Sequence, residues 1–343
     1  MPSYDAFLLV SFGGPEGPDD VIPFLENVTR GRGVPRERLE RVAEHYDRFG
    51  GVSPINQQCR ELLAAVEKDF AASGVDLPVY WGNRNWDPLL AQTVAAMAAD
   101  GRRHAIAFVT SAYSSYSSCR QYLEDIERAR AAVPDAPQID KLRPYFNHPG
   151  FVEPLADAAR AAAASLPLPV QDGYDLVFTA HSIPEAMAEA SGPCGGAYPR
   201  QLAEASRLVA ERVGRPGAWR LAYQSRSGPP SVPWLGPDIG DCLADLARSG
   251  SRAVVLVPVG FISDHMEVVF DLDVEAAQAA ERLGLPLARA ATPSTDPRFV
   301  AMITELVAER QDGLAPRALG DLGPALDVCG SGCCGTGRPR ASQ

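Results

Sequence analysis

The chain alternates between short apolar runs and longer amphipathic segments. The short runs are continuously apolar, which is typical of strands buried on both faces of a parallel sheet. These predicted strands are Ala6–Phe12, Pro78–Gly82, Ala105–Ser111, Tyr174–Ala180, Arg220–Gln224, Ala253–Val259 and Pro286–Ala290. Helical spacing occurs between them, for example in Ile55–Phe70, Leu89–Ala99, Cys119–Ala131, Phe151–Ala164 and Tyr198–Val213. This order predicts an α/β fold with parallel sheets.

The predicted strands form an early and a late group, separated by a turn-rich stretch at 143–150. We therefore expect two similar doubly wound, Rossmann-like domains, at residues 1–147 and 148–313, with a cleft between them. The tail, 314–343, is rich in Gly, Pro and Cys, and we expect it to be poorly ordered unless something ties it down. Ligands of doubly wound folds bind outside the carboxyl ends of the strands, so the loops there are the first candidates for a site.

Charge and hydropathy narrow the range of partners. The 343 residues carry 32 basic and 43 acidic side chains, a net charge of −11, which argues against a nucleic-acid partner and suits a metal ion. No apolar run approaches the ~18 residues that span a bilayer, and the first five residues lack the basic start of a secretory signal. We expect a cytoplasmic protein with no stable membrane insertion.

A histidine and a row of carboxylates follow two predicted strands of the late group. His181 directly follows Tyr174–Ala180, the fourth predicted strand of the chain. A neutral imidazole there can be a base or a metal ligand. Glu267, Asp271 and Glu275 are spaced four apart, which places them along one stripe of a helix. Such a row is usually a solvated face, but unpaired like charges at this spacing favour a cation. Histidine and carboxylates together suit Fe(II).

Two further loops combine glycine with side chains that suit a flat, acidic ligand. The loop at 223–230 contains one arginine and is followed by a tryptophan, and it can also be a rigid turn. Arg30 lies in a glycine-rich stretch, and the segment 49–54 ends in Val-Ser-Pro. Arginine binds carboxylates with two parallel hydrogen bonds, so these loops fit an apolar ring edged by carboxylates.

Five motifs in this order resemble the ferrochelatase family over nearly the whole chain. They are Ser11-Phe12-Gly13-Gly14-Pro15, Gly50-Gly51-Val52-Ser53-Pro54, His181-Ser182-Ile183-Pro184, Tyr223-Gln224-Ser225-Arg226-Ser227-Gly228-Pro229 and Ser263-Asp264-His265-Met266-Glu267-Val268. They look most like the actinobacterial members, which are associated with coproporphyrin III. The resemblance implies insertion of Fe(II) into a porphyrin in haem biosynthesis, and transient contact with neighbouring enzymes of that pathway.

The resemblance also implies roles for individual residues. His181 and Glu267 would face each other across the cleft, with the porphyrin between them and Fe(II) bound at this pair. His181 would ligate the iron or accept the pyrrole protons. Asp271 and Glu275 would pass protons or metal along the helix. The residues that match porphyrin contacts of the family are Ser53, Tyr122, Arg30 and Phe12. Phe12 replaces a tyrosine of some bacterial relatives, so its ring can stack on the macrocycle but supplies no oxygen ligand.

The cysteines suggest a second metal group. Cys329, Cys333 and Cys334 lie close together in the tail, and clustered thiolates suit a [2Fe-2S] cluster or zinc with a fourth ligand. Some ferrochelatases carry a [2Fe-2S] cluster on three carboxy-terminal cysteines and one internal cysteine. By this resemblance we favour Cys119, in the loop after a strand, as the internal ligand, with Cys194 as the alternative. The pair 333–334 departs from the better-known spacings.

Other functions remain open at this point. A ferrochelatase acting on protoporphyrin IX, or a chelatase for another tetrapyrrole or Co(II), would keep the histidine and glutamate. A haem or iron-sulfur sensor without turnover would not need the acidic row. The glycines at 13, 14 and 17 prompt a nucleotide-dependent oxidoreductase, but they do not form G-x-G-x-x-G, and the prolines at 15 and 18 disfavour a phosphate-binding turn.

Overall fold

The computed structural model describes residues 3–229, 231–330 and 332–337. Within these ranges the chain forms eight strands: β1 (Ala6–Ser11), β2 (Val79–Asn83), β3 (His104–Val109), β4 (Gln138–Lys141), β5 (Asp175–His181), β6 (Trp219–Gln224), β7 (Val254–Val257) and β8 (Leu287–Arg289). Residues 331 and 338–343 of the predicted tail, and residue 230 of the glycine- and proline-rich loop, lie outside the described residues.

The helices lie between the strands in chain order. They are α1 (Pro18–Val28), α2 (Arg36–Asp47), α3 (Ile55–Ser73), α4 (Leu90–Ala99), α5 (Gln121–Ala131), α6 (Pro149–Ser165), α7 (Glu185–Glu189), α8 (Ala197–Val213), α9 (Ile239–Arg248), α10 (Met266–Phe270), α11 (Ala277–Arg282) and α12 (Pro297–Asp312). Short π-helical turns at Tyr116–Arg120 and Asp271–Ala276 precede α5 and α11, and a 3₁₀ turn at Leu168–Val170 precedes β5.

The strands form two parallel sheets of the same topology. The first sheet has the order β2-β1-β3-β4 and the second has the order β6-β5-β7-β8. One central strand of each sheet, β1 and β7, is buried along its whole length, in keeping with helices on both faces of a parallel sheet. The expected α/β fold with two doubly wound sheets is therefore confirmed. In each sheet the order reverses beside the first strand, which is where such folds place their ligands.

One strand escaped the sequence prediction. β4 pairs with β3 through Ala105 to Ile139, but its sequence is Gln-Ile-Asp-Lys, which is short and mostly polar. Its position at the edge of the first sheet explains this composition, because an edge strand has solvent on one side and needs fewer apolar residues.

A shared apolar core joins the two sheets. It contains Phe7 and Phe108 of the first sheet, Phe178 of the second, and Phe151 and Phe299 from helices. Phe151 lies on α6 and Phe299 on α12. These two helices pack on each other, and α12 also packs on α3. Because one continuous core contains residues of both sheets, it does not mark where one domain ends and the next begins. The domain boundary at 147/148 therefore stays a prediction.

The tail is held against the rest of the chain. The side-chain amide of Asn147 donates to the carbonyl oxygens of Leu319, at 3.0 Å, and Gly323, at 2.8 Å. Arg143 donates to the carbonyl oxygen of Arg317 at 2.9 Å. These contacts supply the ties on which the order of the tail was expected to depend. None of the helices within the described ranges is both long and apolar enough to cross a membrane.

Candidate active site

His181 is the last residue of β5, at the carboxyl edge of the second sheet. Its Nδ1 contacts the carbonyl oxygen of Ser182, so this nitrogen carries a proton. The hydroxyl of Tyr198 donates to the carbonyl oxygen of His181 at 2.9 Å and holds its backbone. The other ring nitrogen, Nε2, lies 3.4 Å from Oε1 of Glu267.

Glu267 is the second residue of α10, in the segment that follows β7. Its backbone N–H donates to Nδ1 of His265, the N-cap of the helix, at 3.2 Å. The side-chain amide of Gln224 donates to the carbonyl oxygen of Glu267. A side chain at Gly260 would lie 2.7 Å from Cα of Ala180, so the chain after β7 passes close to β5 only because residue 260 is glycine.

The expectation that His181 and Glu267 face each other across the cleft is wrong. Both residues belong to the second sheet and contact each other directly. The reason is that β5 and β7 are neighbouring parallel strands, so the segments that leave their carboxyl ends start side by side.

The two side chains shift each other's protonation. Burial alone would lower the pKa of His181, but the charge of Glu267 and its hydrogen bond raise that pKa to about 9. Burial opposes ionisation of Glu267, but the charge of His181 and its hydrogen bond lower the pKa of Glu267 to about 2. At neutral pH the pair is an imidazolium and a carboxylate.

The carboxylates predicted to form a row lie together as expected, but their helix differs. The segment changes from α10 to the π-helical turn at Asp271, so Glu267, Asp271 and Glu275 do not lie on one regular α-helix. In an α-helix, with 3.6 residues per turn, side chains four residues apart move gradually around the helix. The π-helical turn holds more residues per turn and so counteracts this movement. The charges of Glu267 and Glu275 both raise the pKa of Asp271.

Asp271 has an unusual environment for a carboxylate. Burial, with the charges of Glu267 and Glu275, raises its pKa to about 7, although a hydrogen bond from the hydroxyl of Ser225 opposes the rise. Ser225 holds this hydroxyl in place with a left-handed backbone, φ 60°. A carboxyl group with a pKa near neutrality can both accept and release a proton at pH 7.

The predicted porphyrin contacts lie on the first sheet's side. Phe12 directly follows β1 and is 36% exposed, while Tyr122 on α5 is buried. The guanidinium of Arg84 connects them, 5.7 Å from the ring centre of Phe12 and 4.5 Å from that of Tyr122. Arg84 is itself fixed by a 2.5 Å ion pair with Asp125.

Ser53 and Arg30 occupy different surroundings. Ser53 is buried beside Gly14, and a Cβ at Gly14 would lie 2.7 Å from that of Ser53. Arg30 is exposed after α1 and donates to the side chain of Asn27. The side-chain amide of Asn27 donates to the carbonyl oxygen of Asn85 at 3.2 Å. The side-chain amide of Asn85 donates to the carbonyl oxygen of Phe12 at 3.1 Å. Arg30 is thus linked to the Phe12 loop indirectly.

Sequence reasoning missed several residues of this site. Gln224 and Ser225 lie inside a motif that had been noted, but their contacts with the acidic row had no sequence signal. Tyr46 had none either, because a single aromatic residue in α2 is typical of a core position. Its pKa is raised by burial and by the charges of Glu267 and Asp271, so its ring comes from the first sheet's helices to the acidic row.

Two of the cysteines predicted as cluster ligands are in contact, with Sγ of Cys333 3.7 Å from Sγ of Cys334. Cys334 lowers the pKa of Cys119, and Cys333 raises that of Cys329. The expected position of Cys119 in a loop is wrong, because it lies in the π-helical turn before α5. Cys194 is exposed and has no described contact with the others.

Two groups support this cluster of thiols. The backbone N–H of Gly192 donates to Sγ of Cys334 at 3.2 Å. Lys141 is buried, and its ammonium donates to the carbonyl oxygen of Leu142 at 2.8 Å. Interaction with Cys334 and the charge of Lys141 lower the pKa of Cys119 to about 6, against the effect of burial. As they stand, the described residues contain no group of three or more His, Cys, Asp or Glu side chains spaced to hold a metal ion.

Comparison with known proteins gives matches over nearly the whole chain. The family model for ferrochelatase matches residues 4–311. A coproporphyrin III ferrochelatase of Streptomyces coelicolor is 55% identical, with 98% of this chain and 95% of that protein covered. A coproporphyrin III ferrochelatase of Nocardia farcinica is 57% identical, with 98% of each chain covered.

A solved structure supports the fold independently. The sirohydrochlorin chelatase SirB of Bacillus subtilis subspecies spizizenii, in complex with cobalt, superposes with a TM-score of 0.53. The match covers 91% of this chain and 97% of that chain, at 12% sequence identity. At this identity the likeness concerns the two-sheet fold and not the substrate.

Proposed function

Because this chain belongs to the ferrochelatase family, we propose that it is a lyase that inserts Fe(II) into coproporphyrin III to form Fe-coproporphyrin in haem biosynthesis. The choice of porphyrin is supported by the names of relatives that are more than half identical to it. The observation that carries the assignment of the site is the 3.4 Å contact of His181 with Glu267 beside Asp271. The reaction would take place in the cytoplasm, and contacts with neighbouring pathway enzymes stay a prediction.

Metal insertion exchanges pyrrole protons for Fe(II), so the site has to accept protons while it delivers a cation. His181 holds a proton on each ring nitrogen at neutral pH, so Nε2 must release one, through Glu267 and Asp271 to solvent, before it can ligate the metal. Glu267 is ionised, but the charge of His181 holds its pKa at about 2, so it becomes an effective proton acceptor only once that charge is lost. The two residues would therefore act in sequence: His181 would lose its Nε2 proton and ligate Fe(II), and Glu267 would then accept the pyrrole protons and pass them to Asp271.

Asp271 and Glu275 would connect the pair of His181 and Glu267 with the solvent. Carboxylate oxygens suit a hydrated divalent cation that loses its water in stages. Asp271, with a pKa of about 7, can take a proton from Glu267 and release it to solvent. The same row would serve cations moving in and protons moving out.

The porphyrin would lie between the His181 pair and the side chains that end the first sheet. Phe12 offers an exposed ring for stacking, and Ser53 and Tyr122 would complete that side. Arg30 would bind a propionate with its guanidinium. Puckering of the macrocycle, offset by binding energy from its periphery, would direct a nitrogen lone pair at the metal.

We also propose that Cys119, Cys329, Cys333 and Cys334 hold a [2Fe-2S] cluster. Thiolates are the ligands that such a cluster takes, and the buried ammonium of Lys141 would offset part of its negative charge. The cluster would supply electron-transfer or redox-sensing chemistry and would take no part in metal insertion. Cys119→Ser should lose the visible absorbance and the acid-labile sulfide of the purified protein, whereas Cys194→Ser should keep both. Equal loss in the two variants would reject Cys119 as a ligand.

The proposed reaction is tested by an anaerobic insertion assay with Fe(II). Coproporphyrin III and protoporphyrin IX are offered separately and in competition, and product is followed by absorbance. We expect a higher kcat/KM for coproporphyrin III. A preference for protoporphyrin IX would identify the other ferrochelatase activity, and tight binding of both porphyrins without turnover would favour a sensor and reject the proposal.

A further inference from the structure

One arginine joins an aspartate before the acidic row to an aspartate inside it. Arg289, the last residue of β8, contacts Asp264 with both terminal nitrogens, at 3.2 Å each. It contacts Asp273 through Nε at 2.5 Å and Nη2 at 2.9 Å. Because Asp264 precedes Glu267 and Asp273 follows Asp271, a single guanidinium links the two ends of the segment that carries Glu267 and Asp271.

Asp264 is held from two further directions. Its backbone N–H donates to Oε1 of Gln58, on α3, at 2.8 Å. Its Oδ1 accepts a hydrogen bond from the hydroxyl of Thr292 at 3.3 Å. Asp264 is therefore held by α3 and by the residues that follow β8. Because Arg289 contacts both Asp264 and Asp273, it also holds Asp273 in place.

The helix that carries the row is irregular at its centre. α10 continues without a break through the π-helical turn at Asp271–Ala276 into α11, and π-helical turns are rare. The charges of Glu267 and Glu275 act on Asp271, and like charges four residues apart destabilise a helix. The contact of Arg289 with Asp273 therefore holds the part of the helix that is least regular.

We propose that Arg289 is a positioning residue for metal insertion, which fixes Glu267 and Asp271 relative to His181. The inference rests on the proposed function for the reaction it serves. Arg289 is 17% exposed along its side chain, and its planar guanidinium can bind two carboxylates bidentately, as lysine cannot. Displacement of a reacting group by about 1 Å can lower a rate by about 100-fold.

The test compares Arg289→Gln, Arg289→Lys and Asp273→Asn with Arg298→Gln as the matched control. Arg298 also bridges two aspartates, Asp157 at 2.6 Å and Asp296 at 2.9 Å, but at the start of α12. In Arg289→Gln we expect hydrogen exchange of residues 264–276 to become at least about 10-fold faster, and kcat to fall by about 10- to 100-fold. The Kd for coproporphyrin III, measured by fluorescence quenching, should stay within about twofold, because Arg289 does not contact the porphyrin side.

For Arg289→Lys and Asp273→Asn, kcat and the exchange rate of residues 264–276 should lie between the values of the wild type and Arg289→Gln, since each variant keeps part of the contact. The Arg298→Gln control should leave both kcat and exchange of 264–276 unchanged. The positioning role is rejected if folded Arg289→Gln keeps wild-type kcat, or if exchange of 264–276 is unaltered. If the wild type inserts no metal, the proposed function and the role in it both fail, while the exchange data still decide whether Arg289 anchors the segment.

Discussion

At the scale of single residues, the site is defined by how neighbouring charges change protonation. The same contact raises the pKa of His181 to about 9 and lowers that of Glu267 to about 2, so both stay charged over a wide pH range. Asp271 is the exception, because burial, together with the charges of Glu267 and Glu275, raises its pKa to about 7. Among these groups, Asp271 is the one whose charge changes at physiological pH.

We therefore expect kcat, measured at saturating substrates, to rise with pH through about 7 as Asp271 loses its proton and becomes a base. Ser225→Ala removes a hydrogen bond that favours the charged carboxylate, so the inflection should move to higher pH. Asp271→Asn should remove the inflection.

Ser227→Ala is the control for this pH profile, because Ser227 is exposed in the same loop. Alanine can adopt the left-handed backbone of position 225 about as poorly as serine, so strain is nearly matched. An inflection that stays in place in Ser225→Ala, or persists in Asp271→Asn, would mean that another group titrates.

The sequence could predict residues that follow strands, but not residues that act through distant partners. His181 and the carboxylates were visible because they stand after apolar runs. Arg289 and Tyr46 were not, because each reaches residues beside the acidic row from a separate element, and nothing local in the sequence names that partner. Direct pairing of His181 with Glu267 was missed for the same reason, since it depends on β5 and β7 being neighbours.

At the scale of elements, apolar runs predicted seven of the strands and missed β4, whose edge position permits polar residues. The four-residue spacing predicted a helix for the acidic row, but not its π-helical turn. That turn depends on i→i+5 hydrogen bonds, for which the sequence carries no periodic signal.

α12 is held to the segment after β4 by a buried ion pair, and this contact predicts a stability effect. Arg143 and Glu309 meet through two bonds of 2.7 and 3.0 Å, with their side chains 3% and 8% exposed. Arg143→Ala leaves the carboxylate buried without its partner, so the free energy of unfolding should fall by about 3–5 kcal/mol. Urea denaturation measures this loss.

Arg248→Ala is the comparison for that measurement, because Arg248 forms an exposed ion pair with Asp245 on α9. Its loss should change the free energy of unfolding by about 0–1 kcal/mol. If both variants lose the same small amount, the ion pair of Arg143 does not anchor α12.

At the scale of the whole molecule, two sheets of the same strand order meet through one apolar core. The sequence predicted the two groups of strands and the edge at which ligands bind. It did not predict how the tail is fixed, because Asn147 and Arg143 bind backbone oxygens about 170 residues away in the chain. Backbone acceptors are the same for every residue type, so the sequence does not reveal such contacts.

The two sheets divide the work of the proposed reaction. The second sheet supplies the charged pair and the acidic row, while the first supplies the aromatic side and Arg30. Porphyrin binding and metal insertion should therefore be separable by substitution, because they depend on different halves of the molecule.

The most direct test is to measure coproporphyrin III binding and Fe(II) insertion in His181→Ala, with His104→Ala as the control. His104 pairs with Asp140 at 3.2 Å and begins β3, at the opposite edge of its sheet. The account predicts that His181→Ala binds the porphyrin within about threefold of wild type while insertion falls by about 10²- to 10⁴-fold, and that His104→Ala changes neither. Insertion by His181→Ala at the wild-type rate would contradict it.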